Sequence, residues 1–205
     1  MAVTFAGLKP KRLNGERRKP GDGRKHLGID DGPCRRRKGS SVLVVGAFCK
    51  GVALDGVLST RVRRDGWNAT RAVAEMICGS KFWAQLHTIL IDGITLGGLN
   101  VVDIAQLAAK TNVPVLAVIR KEPDLAAMAN ACRRLPRAER RIALIERAGP
   151  LHRGEKVWFQ CAGIAADAGR EILAQLTVSG HIPEPIRLAH LIAGGIVTGQ
   201  SGHRA

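Results

Sequence analysis

Residues 87–98 read HTILIDGITLGG, and this stretch decides the fold. Ile89, Leu90 and Ile91 form a continuous apolar run, the pattern of a strand covered on both faces. The run ends on Asp92. Gly93, Gly97 and Gly98 follow, and residues 100–111, NVVDIAQLAAKT, then read as a helix whose first turn Asn100 or Asp103 can cap. A buried strand running through a glycine-rich turn into a helix is part of a crossover unit, which predicts parallel strands. Ligands of such sheets collect beyond the carboxyl ends of the strands, so an acid at that edge is placed to hold something.

Upstream, HLGIDD (26–31) reads as a first strand. SVLVVGAFCKG (41–51) and ALDGVLSTRVR (53–63) read as two more, joined in a hairpin at Lys50-Gly51-Val52. Asn68 stands as a plausible N-cap of a helix over NATRAVAEMIC (68–78), with Val73 and Ile77 on one face. Downstream, Pro114 marks the start of the strand VPVLAVI (113–119), and residues 124–148 read as helix broken at Pro136. KVWFQCAG (156–163) is a short strand, and IAADAGREILAQLTV (164–178) and PIRLAHLIAGGIVTG (185–199) are closing helices. The predicted class is α/β: a mixed sheet, with an antiparallel hairpin beside parallel strands, flanked by helices. That is the element order of an RNase H-like domain, although periodicity alone supports other α/β folds equally well. Residues 25–205 are predicted to form one such domain. Residues 1–24, rich in Gly, Pro, Lys and Arg without an apolar period, are predicted to be a flexible basic arm.

Charge is the loudest global feature. The chain of 205 residues carries 32 Lys and Arg against 17 Asp and Glu, a net of +15. Residues 1–38 hold 12 of the bases and four of the acids, just over half of the excess. A second concentration, Arg133, Arg134, Arg137, Arg140, Arg141 and Arg147, falls on the broken helix. Such an excess favours a polyanion, and nucleic acid before membrane, because no amphipathic anchor accompanies it. No apolar run approaches the ~20 residues of a membrane helix. The basic start has no apolar segment behind it, unlike a secretory signal, so the expected address is the cytoplasm. The five cysteines show no CxxC pairing, which argues against a disulfide framework or a zinc site and for a reducing compartment. Seven aromatics and no Tyr give little material for base-stacking platforms of the RRM type. Trp67, beside Asp65, is the one aromatic that suggests a wedge, with ordinary packing as its other reading.

Three acids stand at or just past strand ends: Asp30 closes the first strand, Asp65 follows the third, and Asp92 closes the fourth. If the first and fourth strands are neighbours, Asp30 and Asp92 face each other across their shared edge, with Asp65 brought in by the helix that follows it. Converging carboxylates repel unless a cation lies among them, and an all-oxygen set suits magnesium, with manganese second. Each acid also fits a plain turn: Asp30 before Gly32-Pro33, Asp65 before Gly66, Asp92 before Gly93. Asp31 is expected on the opposite sheet face, in a supporting or structural place. Near the C-terminal end, Pro185 suits a helix's first turn, and Arg187, His190 and Gly194 share one helical face.

The segments LGIDDGP, LDGVLSTRVRRDGWNAT, LIDGITLGGLNVVDI, WFQCAG and IPEPIRLAHLIAGGIVTGQS, in this order and spacing across residues 25–202, together resemble the endonuclease dU family, a relative of endonuclease V. The resemblance implies an RNase H-like fold and cleavage of DNA carrying a deaminated base, with deoxyuridine first and hypoxanthine or inosine as alternatives. It places Asp30 and Asp92 at the family's strand-end acids and His190 as a fourth active-site group, with Asp65 nearest to the helix-start Glu of endonuclease V. Three departures stand out. The PYIP-type wedge is missing, the His-Pro-Arg turn is replaced by ITLGGLN, and Cys34 occupies a place where an aromatic is expected.

The expected chemistry is phosphodiester hydrolysis assisted by one or two magnesium ions held by Asp30, Asp92 and Asp65, with His190 completing the site. Gly93, Thr95, Gly97, Gly98 and Asn100 are candidates for a pocket around an extruded base, because glycines allow close backbone approach. Asn100 equally reads as a helix cap. Arg187, the arginines of residues 133–147 and the arm are expected to neutralise phosphates. The rival from another class is a non-catalytic nucleic-acid-binding protein of the same fold.

Overall fold

The computed structural model describes residues 23–34 and 39–202, so the basic arm expected over residues 1–24 lies, up to residue 22, outside the described residues. Seven strands form one sheet: β1 (Lys25–Asp31), β2 (Ser41–Lys50), β3 (Ala53–Arg63), β4 (Leu86–Asp92), β5 (Val115–Ile119), β6 (His152–Arg153) and β7 (Trp158–Ala162). Their order across the sheet is β3-β2-β1-β4-β5-β7-β6. β1 runs parallel to β4 and β4 to β5, while the β2–β3 hairpin and the β7–β6 pair are antiparallel flanks. This is the mixed sheet predicted from the sequence, with a two-residue strand, β6, added at the far edge.

Among the described residues, six α-helices cover it: α1 (Ala69–Cys78), α2 (Ile104–Thr111), α3 (Leu125–Cys132), α4 (Ala138–Arg147), α5 (Ala166–Leu176) and α6 (Glu184–Thr198). Strand alternation sorts the core into two sides. Ile29, Ile89, Ile91, Val115 and Ala117 point to the side of Ile77 in α1, Leu107 in α2 and Ile145 in α4. Leu90, Leu116, Val118 and Phe159 point to the side of Leu173 in α5 and Ile186 in α6, and Val45 and Ala47 to Ala189 and Ala193 in α6. Both faces of the central strands are therefore dry, which accounts for their unbroken apolar runs.

Two local features position the site. Gly28, in the middle of β1, lies so close to α6 that an added Cβ would stand 2.0 Å from the carbonyl carbon of Pro185 and 2.4 Å from the nitrogen of Ile186. Only glycine admits the first turn of α6 at that depth, and the small Ala189 and Ala193 let the rest of the helix follow. The second feature is the segment after β4. It does not enter a helix at Asn100, as the sequence suggested, but folds back on itself. Thr95 bridges Val101, Val102 N–H donates to Ile94 O (2.8 Å), and Gly97 and Gly98 take the left-handed conformation, φ 64° and 84°. α2 starts only at Ile104, where Asp103 accepts from Gln106 N–H (3.0 Å).

Candidate active site

In the β1–β4 pairing Ile29 lies opposite Ile91, so the next residues of both strands, Asp30 and Asp92, emerge side by side at the carboxyl edge. Parallel neighbours in register share a face, here the face covered by α6. Gly28 brings that helix down, and His190 is carried to Asp30: Nδ1 and Oδ2 lie 2.7 Å apart with one proton between them. The other oxygen of Asp30 accepts from Asp31 N–H (2.7 Å).

Asp30 is 6% exposed. Burial, and after it the charge of Asp92, push its carboxyl up to about 7, against the hydrogen bond with His190, while Asp31 adds a smaller upward push. Burial also holds Asp92 above the ordinary carboxylate range, with Arg120 and His190 opposing it. Asp31 is raised by burial and by Asp92, and is opposed by the Gly97 N–H, Arg64 and His190. Three desolvated acids thus share one edge, and the bases nearby do not bring them back to ordinary acidity. A divalent cation would relieve that repulsion.

Among the described residues, no three His, Cys, Asp or Glu side chains form a ready-made metal cage. Magnesium keeps several waters and is held by one or two carboxylates together with substrate phosphates, so a pair of acids is the donor set it would need. Asp30 and Asp92 would hold the ion, with Asp31 at its margin.

The structure places Asp65 differently from the sequence expectation. Its backbone is left-handed (φ 52°), its Oδ1 accepts from Leu99 N–H (2.9 Å), and its Oδ2 pairs with Arg64 Nε (3.4 Å). Its own N–H donates to Gly97 O (2.8 Å). This carboxylate braces the glycine loop, and it is not among the charges that act on Asp30 or Asp92. Asn100 is likewise turned away from an incoming base. It is fully buried, its Oδ1 accepts from Ala69 N–H (3.1 Å) at the start of α1, and its Nδ2 donates to Arg63 O and Asn68 Oδ1 (3.0 Å each). It caps α1, the helix for which Asn68 was the expected cap. Asn68 Oδ1 instead accepts from Arg63 N–H (3.1 Å), and its side chain makes no cap bond to α1. Gly93, Thr95 and Gly98 keep exposed surface on the loop, while Gly97 is buried with its N–H on Asp31. Arg187 is clamped by Glu184 through two hydrogen bonds (2.6 and 2.8 Å), one turn before His190.

Asp31, the last residue of β1, lies on the side opposite Asp30: its carboxylate takes the N–H of Gly97, whose neighbours Val42 and Val62 belong to the Ile29 side of the core, and it acts on the acid edge through its charge. One residue that the sequence analysis did not single out belongs to the edge. Arg120 follows β5, two residues past the partner of Asp92, and its guanidinium lies 3.7 Å from Asp92. Its position at the end of the next parallel strand was readable from the sequence once β4 and β5 were taken as neighbours.

A mixed seven-stranded sheet of this order, with six helices around it and acids at the β1–β4 edge, has the endonuclease V-like fold. An endonuclease V from Bacillus subtilis matches it with a TM-score of 0.57 at 12% identity, over 87% of this chain and 83% of that one. An endonuclease V from Ciona intestinalis, solved in complex with a 24mer DNA containing an inosine followed by a ribo-adenosine, matches with a TM-score of 0.52 at 12% identity, over 81% and 82%. The chain belongs to the endonuclease dU family, whose model matches residues 22–197. A UPF0215 protein from Methanothermobacter thermautotrophicus is 46% identical over 85% of this chain and 88% of its own length. The crystal structure of a protein of unknown function from Archaeoglobus fulgidus matches with a TM-score of 0.81 at 36% identity, over 86% of this chain and 99% of that one. Among the described residues, no helix is long and apolar enough to cross a membrane.

Proposed function

We propose that this protein is a magnesium-dependent endonuclease that hydrolyses a phosphodiester bond of DNA beside a deaminated base, with deoxyuridine as the preferred lesion. The observation that carries this reading is the Asp30–Asp92 pair, two desolvated acids in register at the carboxyl edge of a sheet, with His190 on one and Arg120 on the other. The net charge of +15 and the family name support a nucleic-acid substrate, as does the inosine-containing DNA bound to the Ciona endonuclease V of similar fold.

When bound, the ion would lower the pKa of a coordinated water, from ~15.7 in bulk towards neutrality, and offset charge on the leaving oxygen. Asp30 and Asp92 would hold that ion. His190 would fix the orientation of Asp30 through its Nδ1, leaving its other ring nitrogen to face the reacting phosphate. Arg120 would exchange Asp92 for the phosphate as the ion neutralises the acid. The loop from Gly93 to Gly98 would line the pocket for the extruded base through its backbone groups and Thr95, since Asn100 is engaged by α1. Asp65 would act from behind that loop rather than on the ion.

The test is a comparison of oligonucleotides containing uracil in DNA, hypoxanthine in DNA or inosine in RNA, with magnesium or with EDTA, for the wild-type protein and Asp92→Asn. The expected result is magnesium-dependent nicking of uracil-DNA that Asp92→Asn loses while it still binds. Full metal-dependent nicking by Asp92→Asn would overturn the site. Binding with no cleavage of any substrate would make the protein a nucleic-acid-binding module.

A further inference from the structure

The arginines in and before α4 are not alike. Arg141 is buried and entirely engaged: it donates to Asp65 O (2.7 Å), Pro136 O (3.2 Å) and Leu99 O. Arg147 pairs with Asp103, and Arg133 donates to Asn130. Arg137 and Arg140 differ. Both are exposed, and among the described residues neither has an acidic partner. Their guanidiniums lie 5.8 and 5.7 Å from the centre of the half-buried Trp67 ring, and Arg141 lies 5.2 Å from the same ring. Three cations therefore surround one indole, and the one on which a carboxylate acts is the buried Arg141, through Asp65. Arg137 also holds a left-handed backbone, φ 60°, at the start of α4. An aromatic face holds guanidiniums in place while leaving their N–H edges free, and such edges match phosphate oxygens.

This cluster is mechanically tied to the acid edge. Arg141 grips Leu99 O and Asp65 O, Asp65 grips Leu99 N–H and Gly97 O, and the Gly97 N–H is held by Asp31. We infer that Arg137 and Arg140, set by Trp67, form a phosphate clamp for the DNA strand flanking the cleavage site. The clamp rests on the reading of the protein as acting on DNA, and it adds a register: a strand that reaches from the Asp30–Asp92 edge over the glycine loop to the start of α4. Arg141 is the strut that fixes this distance, not a phosphate ligand.

The test is binding of a fluorescent uracil-containing 30mer in EDTA as a function of salt, by the full chain and by Arg137→Gln/Arg140→Gln, together with magnesium-dependent cleavage kinetics. Two lost phosphate contacts should flatten the plot of log K against log salt by about 1.4–1.8. KM on the 30mer should rise about tenfold or more with kcat unchanged, and a short oligonucleotide that ends at the lesion should show no difference. Trp67→Leu should reproduce part of the effect, and Trp67→Phe little of it. Lys156→Gln/Arg170→Gln removes the same charge from the α5 side of the sheet and should leave the slope unchanged. An unchanged slope in the Arg137/Arg140 variant, or an equal loss in the α5-side control, would overturn the clamp. Wild-type protein that binds with a steep slope but never cleaves would leave the clamp standing and remove the nuclease. Wild-type protein that fails to bind DNA would remove both.

Discussion

Gly28 and Pro185 meet backbone to backbone, at a separation that leaves no room for a methyl group. The contact seats α6 on β1 and so brings His190 to Asp30. Gly28→Ala must push the helix outward or fail to close. The expected loss is about 3 kcal/mol or more in urea unfolding, at or above the upper range for overpacking, because backbone rather than a flexible side chain stands in the way. Any folded fraction should show the cleavage defect of His190→Ala. A variant with wild-type stability and turnover would mean that α6 is not seated by this contact.

Stability should fall as pH rises through the range where the edge acids ionise. Asp30 titrates at about 7 in the fold and near 3.8 when exposed, so between these values the folded state holds a proton that the unfolded chain has released. Stabilisation is complete below about pH 4 and is lost as pH passes 7, and Asp31 and Asp92, both raised, act in the same sense. Asp30→Asn should remove much of this slope and be more stable than wild type at pH 8, by roughly 2–4 kcal/mol as an upper range. Parallel pH–stability curves for the two proteins would refute the burial argument.

Magnesium should reverse that trend. A cation that binds only ionised acids stabilises the fold most where those acids have lost their protons. The rise in Tm on adding magnesium should therefore be larger at pH 8 than at pH 5, and it should vanish in Asp92→Asn. This measurement needs no substrate. Equal shifts at the two pH values would place the ion elsewhere.

Asp65 and Asp92 should respond oppositely to the same change. Asp65→Asn keeps an oxygen for Leu99 N–H and suits a left-handed backbone, so turnover should stay within about fivefold of wild type. Asp92→Asn should lose about 100-fold or more. If Asp65→Asn is as damaging as Asp92→Asn, the acid acts on the ion and not on the loop.

Asn100→Ala should cost about 1–3 kcal/mol, because it leaves the buried first amide of α1, Ala69 N–H, without its partner, while Arg63 O keeps the N–H of Gly66 (2.9 Å). Thermal unfolding would show this directly. A loss below 1 kcal/mol would mean that water replaces the amide.

The central features were legible because they are local and periodic. The apolar runs of β1 and β4 and the acids that end them follow from sequence alone, and one assumption of adjacency puts Asp30 beside Asp92. What escaped is non-local. Asn100 caps a helix that begins 31 residues earlier, Asp65 braces a loop 34 residues later, and Arg141 reaches back 76 residues to hold them both. Asn100 and Asp65 each have an ordinary local reading as a cap or turn residue, and nothing in the spacing says which distant amide will claim them; Arg141 reads as one more surface arginine until its carbonyl partners are known.

Asp30 and His190 stand 160 positions apart in the chain, and both sheet acids precede α6. Whatever order the strands assemble in, the surroundings of Asp30 are complete only once α6 has settled onto Gly28, so the last step in building the centre is the docking of one helix against one glycine.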